Sequence, residues 1–380
     1  MKSIAVVGAG KIGVMIADLL SSTGDYTVTI VDQYEESLAR VKLQVPAVET
    51  KQADASDQAQ MEEILKDKFG VINCCPFNIG RTIATAAVAQ GTHYFDLTED
   101  VASTRVIKEL AKESKTALVP QCGLAPGFIS IVAYDLAKKF DTLHNVHMRV
   151  GALPRYPSNA LKYNLTWSTD GLINEYLNPC EAIVNGKLRE VPPLEELETF
   201  SLDGDDYEAF NTSGGLGTLC ETLEGKVKNL NYRTVRYPGH RDLMKMLIND
   251  LGLGDRPDLL KDIMEASVPV TMQDVVLVFV NVSGTKNGMF VQETFARKVY
   301  SREINNTLRS AIQITTASGI CAALDLMVEG KLPQKGFVRQ EDICFADFIA
   351  NRFGRNYMDN KNTVGSHDPK ESEPSVKKIA

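Results

Sequence analysis

The 380-residue sequence lacks several features that would each indicate a particular class of protein. No uninterrupted apolar run reaches the roughly 18–20 residues that a membrane span needs. Basic residues are not in excess, because 41 lysines and arginines stand against 49 aspartates and glutamates, which gives a net charge of -8. A chain with this charge is not expected to have nucleic acid or a membrane as its main partner.

The cysteines are widely scattered, and their spacing suits neither disulfides nor metal binding. The seven cysteines are odd in number, and only two of them are adjacent in the chain. None belongs to a CxxC or Cys/His cluster of the kind that binds zinc. The first residues lead directly into a strand-like run and show no signal peptide. We therefore expect free thiols, no metal site and a reducing, cytoplasmic location.

The first part of the chain alternates short apolar runs with amphipathic helices, as parallel α/β units do. Strands are predicted at 3–7, 26–31, 47–52, 70–74, 93–96 and 116–120. Helices are predicted at 11–22, 35–41, 58–66, 81–90 and 102–114. About six strands separated by helices predict an α/β fold with a doubly wound parallel Rossmann sheet.

The pattern changes after Gly127, which indicates a second domain in a chain too long for one ordinary core. A helix is predicted at 128–140, strands at 145–151, 161–168, 233–236, 275–283 and 289–299, and a long apolar helix at 305–329. The turn former Lys286-Asn287-Gly288 predicts that the last two strands form a hairpin. These segments predict an α+β substrate domain with a mixed sheet.

These patterns divide the chain into four expected parts. Residues 1–127 form an NAD-binding Rossmann domain, completed by the helix at 305–330, and residues 128–304 form a substrate and dimerisation domain. Residues 331–359 are a C-terminal segment. Residues 360–380 lack apolar periodicity and are expected to be a disordered tail.

A GxGxxG sextet follows the first predicted strand and opens the first predicted helix. In this context the glycines allow a tight turn and a close approach of backbone N–H groups to a pyrophosphate. A glycine-rich turn without a ligand is the simpler alternative. The candidate cofactor residues of the sextet are Gly8, Gly10, Lys11, Ile12 and Gly13.

An acidic residue ends the second predicted strand, where a carboxylate would accept hydrogen bonds from both ribose hydroxyls of the cofactor. This residue is Asp32, and its charge would repel a 2′-phosphate. Its neighbour Gln33 adds no positive charge, and the nearest basic side chain past the strand is Arg40. NAD is therefore favoured over NADP.

Two later strand ends supply the remaining candidate cofactor residues. Asp54, after the third strand, is expected to face the adenine. Cys74, Cys75 and Pro76 end the fourth strand, near the expected nicotinamide ribose. The alternative for the two cysteines is that they are small apolar residues at a tight strand end.

Four later segments, in order, resemble the saccharopine dehydrogenase family. The resemblance covers nearly the whole chain apart from the tail, and it implies a nicotinamide cofactor and an amino-acid substrate. The segments are Cys122-Gly123-Leu124-Ala125-Pro126-Gly127; Tyr163-Asn164-Leu165-Thr166-Trp167-Ser168 with Gly171-Leu172 and Asn178-Pro179; Tyr232-Arg233-Thr234-Val235-Arg236-Tyr237-Pro238-Gly239-His240; and Val328-Glu329-Gly330-Lys331-Leu332-Pro333-Gln334-Lys335-Gly336.

Within that family, the sequence is more similar to lysine 6-dehydrogenases. Phe210-Asn211-Thr212-Ser213-Gly214-Gly215 and the Arg-Tyr-Pro-Gly-His ending carry this similarity, and the Asn-Arg-Asp-Ser stretch of glutamate-forming saccharopine dehydrogenases is not found. The glutamate-forming activity remains an alternative, with a second carboxylate-binding cation supplied by Lys162, Arg155 or Arg241. A non-catalytic NAD-binding sensor is an alternative of another class.

The resemblance implies hydride removal from the carbon that bears the ε-nitrogen, which gives an imine that is then hydrolysed. The nitrogen must first be neutral, although a free lysine amine has a pKa of about 10.4. A base is therefore expected, and Asp96 and His240 are the candidates. Tyr163 is a candidate donor to the substrate. The alternative for Asp96 is a helix cap. The alternative for His240 is an ordinary hydrogen-bonding role, and the alternative for Tyr163 is a packed aromatic.

The substrate carboxylate calls for an arginine, whose forked donors bind carboxylate bidentately. Arg236 is the candidate ahead of Arg233, and the alternative is a strand arginine paired with an acidic residue. Thr212, Ser213 and Gly214 are expected to donate to the same carboxylate, unless they form only a flexible loop. A homodimer or higher homo-oligomer is expected from the general frequency of such assemblies.

Overall fold

A computed structural model describes residues 1–358, and its strands form two large sheets and one small hairpin. The strands are β1 Lys2–Val7, β2 Tyr26–Asp32, β3 Glu49–Gln52, β4 Gly70–Asn73, β5 His93–Asp96, β6 Ala117–Val119, β7 Thr142–Pro154, β8 Cys180–Val184, β9 Lys187–Val191, β10 Glu198–Leu202, β11 Asp205–Asn211, β12 Val227–Arg236, β13 Asp274–Lys286, β14 Met289–Tyr300, β15 Arg302–Ile304, β16 Thr307–Arg309 and β17 Gly336–Phe337.

The helices cover both faces of the first sheet and one face of the second. They are α1 Lys11–Ser21, α2 Glu35–Gln44, α3 Gln58–Leu65, α4 Gly80–Gln90, α5 Val101–Ala111, α6 Phe128–Ala137, α7 Thr169–Leu177, α8 Leu219–Leu223, α9 His240–Lys245, α10 Pro257–Ser267, α11 Ala311–Val328 and α12 Phe345–Ala350. Short 3₁₀ turns lie at Phe77–Ile79, Leu253–Asp255, Gln340–Asp342 and Gly354–Tyr357, and a π-helical turn lies at Met246–Asp250.

The first sheet has seven strands in the order β17-β6-β5-β4-β1-β2-β3. Every neighbouring pair in it is parallel. The strand order reverses between β1 and β4, because β1 to β3 extend the sheet to one side and β4 to β6 extend it to the other. A crevice for ligands opens at the carboxyl ends of the strands around such a point. The predicted doubly wound Rossmann fold is confirmed.

The second sheet is mixed, as predicted. Its main path runs β10-β11-β12-β7-β13-β14, and β8 and β9 lie beside β12. β12 and β7 are parallel, whereas β13 pairs antiparallel with both β7 and β14. Asn287 and Gly288 both have positive φ, of 52° and 78°, at the turn between β13 and β14. Two such residues suit a tight hairpin, so the predicted hairpin is confirmed.

The long apolar helix α11 starts at Ala311, six residues later than predicted. The β15–β16 hairpin occupies the intervening residues, and its turn residues Asn305 and Asn306 both have positive φ. Ser310 then caps α11 in a capping box with Gln313. The helix is long and apolar enough to cross a membrane, but 89% of it is buried, as in a core helix.

The strand predicted at 161–168 is wrong. This segment is irregular and makes a single bridge between Leu165 and Val270. Its alternating apolar residues, Tyr163 and Leu165, instead pack into a cluster of helix residues that includes Leu172 and Leu260. The alternation therefore reflects packing against helices and not pairing in a sheet.

The C-terminal segment returns to the first sheet. Its strand β17 pairs with β6, and Gly336 N–H donates to the Thr116 carbonyl oxygen at 3.1 Å. The proposed domain boundaries stay a prediction. The tail predicted at 360–380 lies outside the described residues.

Candidate functional site

A cavity of about 630 Å³ lies between the carboxyl edge of the first sheet and the inner face of the second. One wall comes from the glycine loop, the ends of β4 and β5, the 123–126 turn and the start of α11. The other wall comes from residues 165–171, α7, β7 and β12. The cavity is thus placed where ligands gather in open α/β sheets.

The glycine loop presents backbone to this cavity. Gly10, Lys11, Ile12 and Gly13 line it, and α1 begins without a side-chain cap. A Cβ at Gly13 would lie 1.9 Å from the Gly8 carbonyl oxygen, so only glycine lets the loop fold back onto the helix. A Cβ at Gly10 would meet open space. Uncapped N–H groups facing a space of this kind fit a cofactor pyrophosphate.

Three of the predicted cofactor residues lie outside the cavity lining: Gly8, Asp32 and Asp54. Asp32 is tied to the glycine loop, because its Oδ2 accepts a hydrogen bond from Ala9 N–H at 2.8 Å. Asp54 is exposed and accepts hydrogen bonds from the backbone and hydroxyl of Ser56, which lower the pKa of Asp54. The structure thus places Asp32, but not Asp54, in contact with the pyrophosphate loop.

Cys74, Cys75 and Pro76 line the cavity at the end of β4. Burial raises the pKa of the Cys74 thiol above its ordinary range, and it raises the pKa of Cys75 to about 12. Both side chains are therefore neutral thiols at ordinary pH. This state suits small packing residues beside a cofactor and not nucleophiles or bases.

Arg236 ends β12 with its guanidinium at the cavity. Its Nε donates to the Tyr176 hydroxyl at 3.0 Å, and its Nη1 donates to Thr234 Oγ1 and to the Val235 carbonyl oxygen. Nη2 donates to no residue within 1–358, and no carboxylate pairs with this arginine there. Arg233 donates instead to Glu196 and Glu198 at 2.6 and 2.5 Å. The structure therefore leaves Arg236, and not Arg233, free to bind a carboxylate.

Asp96 ends β5 at the cavity with a carboxylate that already accepts three hydrogen bonds. Oδ1 accepts from the backbone N–H groups of Thr98 and Gln121, and Oδ2 accepts from the Tyr94 hydroxyl at 2.9 Å. Burial raises the pKa of Asp96 to about 6, although these hydrogen bonds oppose the rise. The cap of α5 is Asp100, so the helix-cap alternative for Asp96 does not hold. Asp96 anchors two loops at the sheet edge.

His240 and Tyr163 do not line the cavity. The His240 ring lies between the Tyr176 hydroxyl, at 3.0 Å, and the Leu161 carbonyl oxygen, at 2.8 Å. Burial, with the nearby Arg236 charge, lowers the pKa of His240 to about 3. The Tyr163 ring lies 5.1 Å from the Arg236 guanidinium. These positions support a role in orienting Arg236, and they do not place either residue within reach of a substrate in the cavity.

Thr212, Ser213 and Gly214 also lie behind the cavity wall. Gly214 has a φ of +86°, and a Cβ there would lie 2.4 Å from the Glu99 carbonyl oxygen. The Ser213 N–H donates to the Glu175 carbonyl oxygen at 3.0 Å. The segment thus contacts the backbone of two acidic residues that do line the cavity, and it is not positioned to bind a substrate carboxylate itself.

Those acidic residues, Glu99 and Glu175, were not among the predicted site residues. Glu99 follows β5 by three residues and Glu175 lies on α7. Neither carboxyl group accepts a hydrogen bond from another residue within 1–358. Burial raises the pKa of Glu99 to about 7 and that of Glu175 to about 8. For Glu99, its position after a strand end was a usable signal, whereas nothing in the sequence distinguished Glu175 from other helical glutamates.

The ionisable side chains that line the cavity are mainly acidic. Over the described chain its cations are Lys11, on the glycine loop, and Arg236. Its acidic residues are Asp96, Glu99, Asp170, Glu175 and Glu265.

The three cations proposed from the sequence for a second carboxylate all lie elsewhere. Lys162 donates to the Pro238 carbonyl oxygen, Arg155 lies over the Tyr300 ring, and Arg241 pairs with Asp242. The cavity therefore offers one cation on its substrate side.

The fold and the cavity together define a dinucleotide-binding protein of the dehydrogenase type. A Rossmann sheet supplies an uncapped helix N-terminus, and a second sheet closes the space in front of it. More particularly, the chain belongs to the saccharopine dehydrogenase family. Residues 4–121 match the saccharopine dehydrogenase NADP binding domain, and residues 123–356 match the saccharopine dehydrogenase C-terminal domain. The resemblance inferred from the sequence motifs is confirmed.

Curated relatives are distant and longer. The chain is 19% identical over 274 residues to mouse mitochondrial alpha-aminoadipic semialdehyde synthase, which covers 67% of this chain and 29% of that protein. It is 22% identical over 214 residues to the fission yeast saccharopine dehydrogenase [NADP(+), L-glutamate-forming], which covers 52% of this chain and 46% of that protein. The chain thus matches less than half the length of these relatives.

A solved structure shows the same fold. Apo saccharopine dehydrogenase (L-Glu forming) from Saccharomyces cerevisiae superposes with a TM-score of 0.77 at 16% sequence identity. The match covers 92% of this chain and 96% of that chain.

Proposed function

We propose that this protein is a nicotinamide-dependent oxidoreductase that oxidises the carbon–nitrogen bond of lysine or a closely related basic amino acid. The observation that carries the proposal is the set of ionisable groups that line the cavity. One arginine faces several carboxyl groups there, and two of these, Glu99 and Glu175, accept no hydrogen bond from another residue within 1–358.

Lysine matches this charge pattern. It carries one carboxylate, for which Arg236 offers a free Nη2, and two amino groups, for which Glu99 and Glu175 offer unpartnered carboxyls. The substrate of a glutamate-forming saccharopine dehydrogenase is a bulkier secondary amine whose glutamate part adds two carboxylates. Burying these without further cations would be unfavourable. A cavity with one cation and several carboxyl groups on its substrate side therefore supports the lysine 6-dehydrogenase type over the glutamate-forming type.

When bound, the nicotinamide would supply the acceptor for the hydride that leaves the substrate carbon. The first turn of α1 and the end of β4 would hold the cofactor, and Arg236 would orient the substrate carboxylate. Leu165, which is buried, and Trp167, which is half-buried, would exclude water from the reacting carbon, since they line the same space. The polar groups of this second wall argue against a purely nucleotide-sensing protein.

We also propose that the cofactor is NAD. The matching family domain is named for NADP, and the fission yeast relative is named for NADP(+). In this chain, however, Asp32 carries a negative charge at the end of β2. Arg40, the nearest basic side chain after β2 in the sequence, is exposed and donates to Ser37 Oγ at 3.0 Å. An uncompensated carboxylate at this position would oppose a 2′-phosphate.

A substrate panel tests the proposal. The purified protein is given NAD or NADP with lysine, ornithine or saccharopine, and formation of the reduced nicotinamide is followed by absorbance. We expect lysine with NAD to have the highest kcat/KM. Turnover of saccharopine without turnover of lysine would establish the glutamate-forming alternative. Cofactor binding without turnover of any amine would support the alternative of a non-catalytic NAD-binding sensor.

A further inference from the structure

Three carboxyl groups form a row across the cavity. Asp96 stands at the edge of the first sheet, Glu99 follows it on the same loop, and Glu175 faces them from α7. Each is an electrostatic neighbour of the next, since the charge of Asp96 acts on Glu99 and that of Glu99 acts on Glu175. At the far end, Glu175 is an electrostatic neighbour of Arg236. The row thus runs from the expected nicotinamide to the substrate arginine.

The two ends of the row differ in what they can bind. Glu175 and Arg236 make no direct ion pair with each other, and Arg236 keeps Nη2 free within the described chain. An amino acid could therefore place its α-carboxylate on Arg236 and its α-ammonium on Glu175. A linear side chain would then carry the terminal amine along the row, toward the sheet edge.

At the sheet edge, Asp96 and Glu99 are the two acidic candidates. Asp96 already accepts three hydrogen bonds that anchor its loops. Glu99 accepts none from another described residue. A Cβ at Gly171 would lie 3.2 Å from Glu99 Oε1, and the 213–217 loop packs on the Glu99 backbone without contributing a charged side chain. Glu99 is therefore both free and held in place.

We infer that Glu99 is the proton acceptor for the reacting amine, and that Glu175 with Arg236 holds the amino-acid end of the substrate. This inference rests on the proposed function. In the step, the N–H bond of the substrate ammonium breaks and an O–H bond forms on the Glu99 carboxylate. The electron pair stays on nitrogen and supports the departure of hydride from the adjacent carbon.

The surroundings of Glu99 fit this task. The titratable groups that face it are Asp96 and Asp100 from its own loop and Glu175 from α7. All three are acidic. Burial, together with the charges of Asp100 and Asp96, raises the pKa of Glu99 to about 7. A carboxylate near this pKa accepts a proton from an amine more readily than an ordinary surface glutamate does.

The test compares Glu99→Gln with Glu175→Gln, two changes of the same size and chemistry in one cavity. Two readouts separate their roles. Binding of norleucine, which has the amino-acid end of lysine but no terminal amine, is followed through the fluorescence of Trp167, the single tryptophan, which lines the cavity. The pH dependence of kcat/KM is measured with lysine and saturating cofactor.

We expect Glu99→Gln to lower kcat by about 10²–10⁴-fold, the usual effect of losing a positioned base, with unchanged norleucine affinity. In the parent protein, kcat/KM should rise with pH near neutral pH as Glu99 ionises. This rise should be absent in Glu99→Gln and partly present in Glu99→Asp. Above about pH 8, where the parental Glu175 is ionised, Glu175→Gln should weaken norleucine binding by about 10-fold or more, as expected for a lost charged contact. This variant should keep the rise in kcat/KM. Thermal unfolding checks that each variant is folded.

The inference is overturned if Glu99→Gln keeps the parental kcat and pH profile. It is also overturned if Glu99→Gln weakens the binding of norleucine as much as Glu175→Gln does. Failure of the proposed function has a different signature, because the parent protein would then oxidise no basic amino acid. If the parent oxidises another amine, the same comparison of variants is made with that amine.

Discussion

The nucleotide side and the substrate side of the cavity are built from different kinds of groups. The nucleotide side uses the backbone of one short segment, Gly10 to Gly13, and the dipole of the helix that follows. The substrate side uses the side chains of Glu99, Glu175 and Arg236, which come from a loop, a helix and a strand far apart in the chain. A backbone site is therefore set by local spacing, whereas a side-chain site is set by the tertiary fold.

Of the substitutions that test this difference between the two sides, we expect the largest effect from a change at Arg236 on the substrate side. Arg236→Lys keeps a positive charge but loses the donors to Tyr176 and Thr234 and the free Nη2. We expect KM for lysine to rise by about 10–100-fold, the range for a lost charged hydrogen bond, with NAD affinity unchanged. Steady-state kinetics and calorimetry measure the two quantities.

The matched control is Arg233→Lys on the same strand. Arg233 pairs with Glu196 and Glu198 and does not line the cavity, so KM should stay near the parental value. Equal changes in KM for both variants would mean that Arg236 acts only through the stability of β12.

A smaller effect is expected on the nucleotide side. Asp32→Asn removes the charge but keeps an oxygen that can accept the Ala9 N–H bond. The preference for NAD over NADP should narrow by roughly tenfold, because the repulsion of a 2′-phosphate is lost. Calorimetric titration of both cofactors measures this. A parent protein that binds NADP as tightly as NAD would refute the proposed cofactor choice.

The smallest effect concerns the stability of the substrate side. Burial raises the pKa of Glu175 from 4.5 to about 8, so between these values the folded protein keeps a proton that the unfolded chain has lost. The stability from this group is present below pH 4.5 and is lost as the pH rises through about 8. The side chain of Glu175→Gln cannot ionise. Its Tm should therefore fall less than the parental Tm as the pH rises from 4.5 to about 8.

Glu265→Gln, an exposed residue at the same cavity, is the control for that measurement. Its Tm should follow the parental pH dependence. Parallel curves for the parent and Glu175→Gln would show that the Glu175 carboxyl group is ionised in the folded protein across the whole window.

The sequence predicted the nucleotide side in more detail than the substrate side. The GxGxxG spacing placed the loop between β1 and α1, and strand periodicity placed Cys74 and Cys75 at a strand end. These features depend on residues close together in the chain. Arg236 was predicted from a motif, and the structure explains it, because strand alternation turns it toward the cavity and Arg233 away.

His240 shows why the rest could not be predicted. Its residue type fits a base, but its position at the start of α9 places the ring in a dry cluster with Tyr176 and the Leu161 carbonyl. The irregular path of 161–168 makes that cluster, and alternating apolar residues had predicted a strand there. Glu175 was missed for the same reason, since only the packing of α7 against β12 and the 213–217 loop turns it into the cavity.

The return of the chain to the first sheet affects the order in which the protein can be made. α11 packs against α1, Ile312 and Gln313 line the cavity, and β17 extends the edge of β6. A ribosome therefore releases the glycine loop early but the elements that cover it late, after the whole substrate side has emerged. Meanwhile the nascent chain carries an uncovered apolar face on α1, a surface that chaperones bind. Because Ile312 and Gln313 complete one wall of the cavity, we expect cofactor binding only near the end of synthesis, and we expect bound cofactor to stabilise the finished fold.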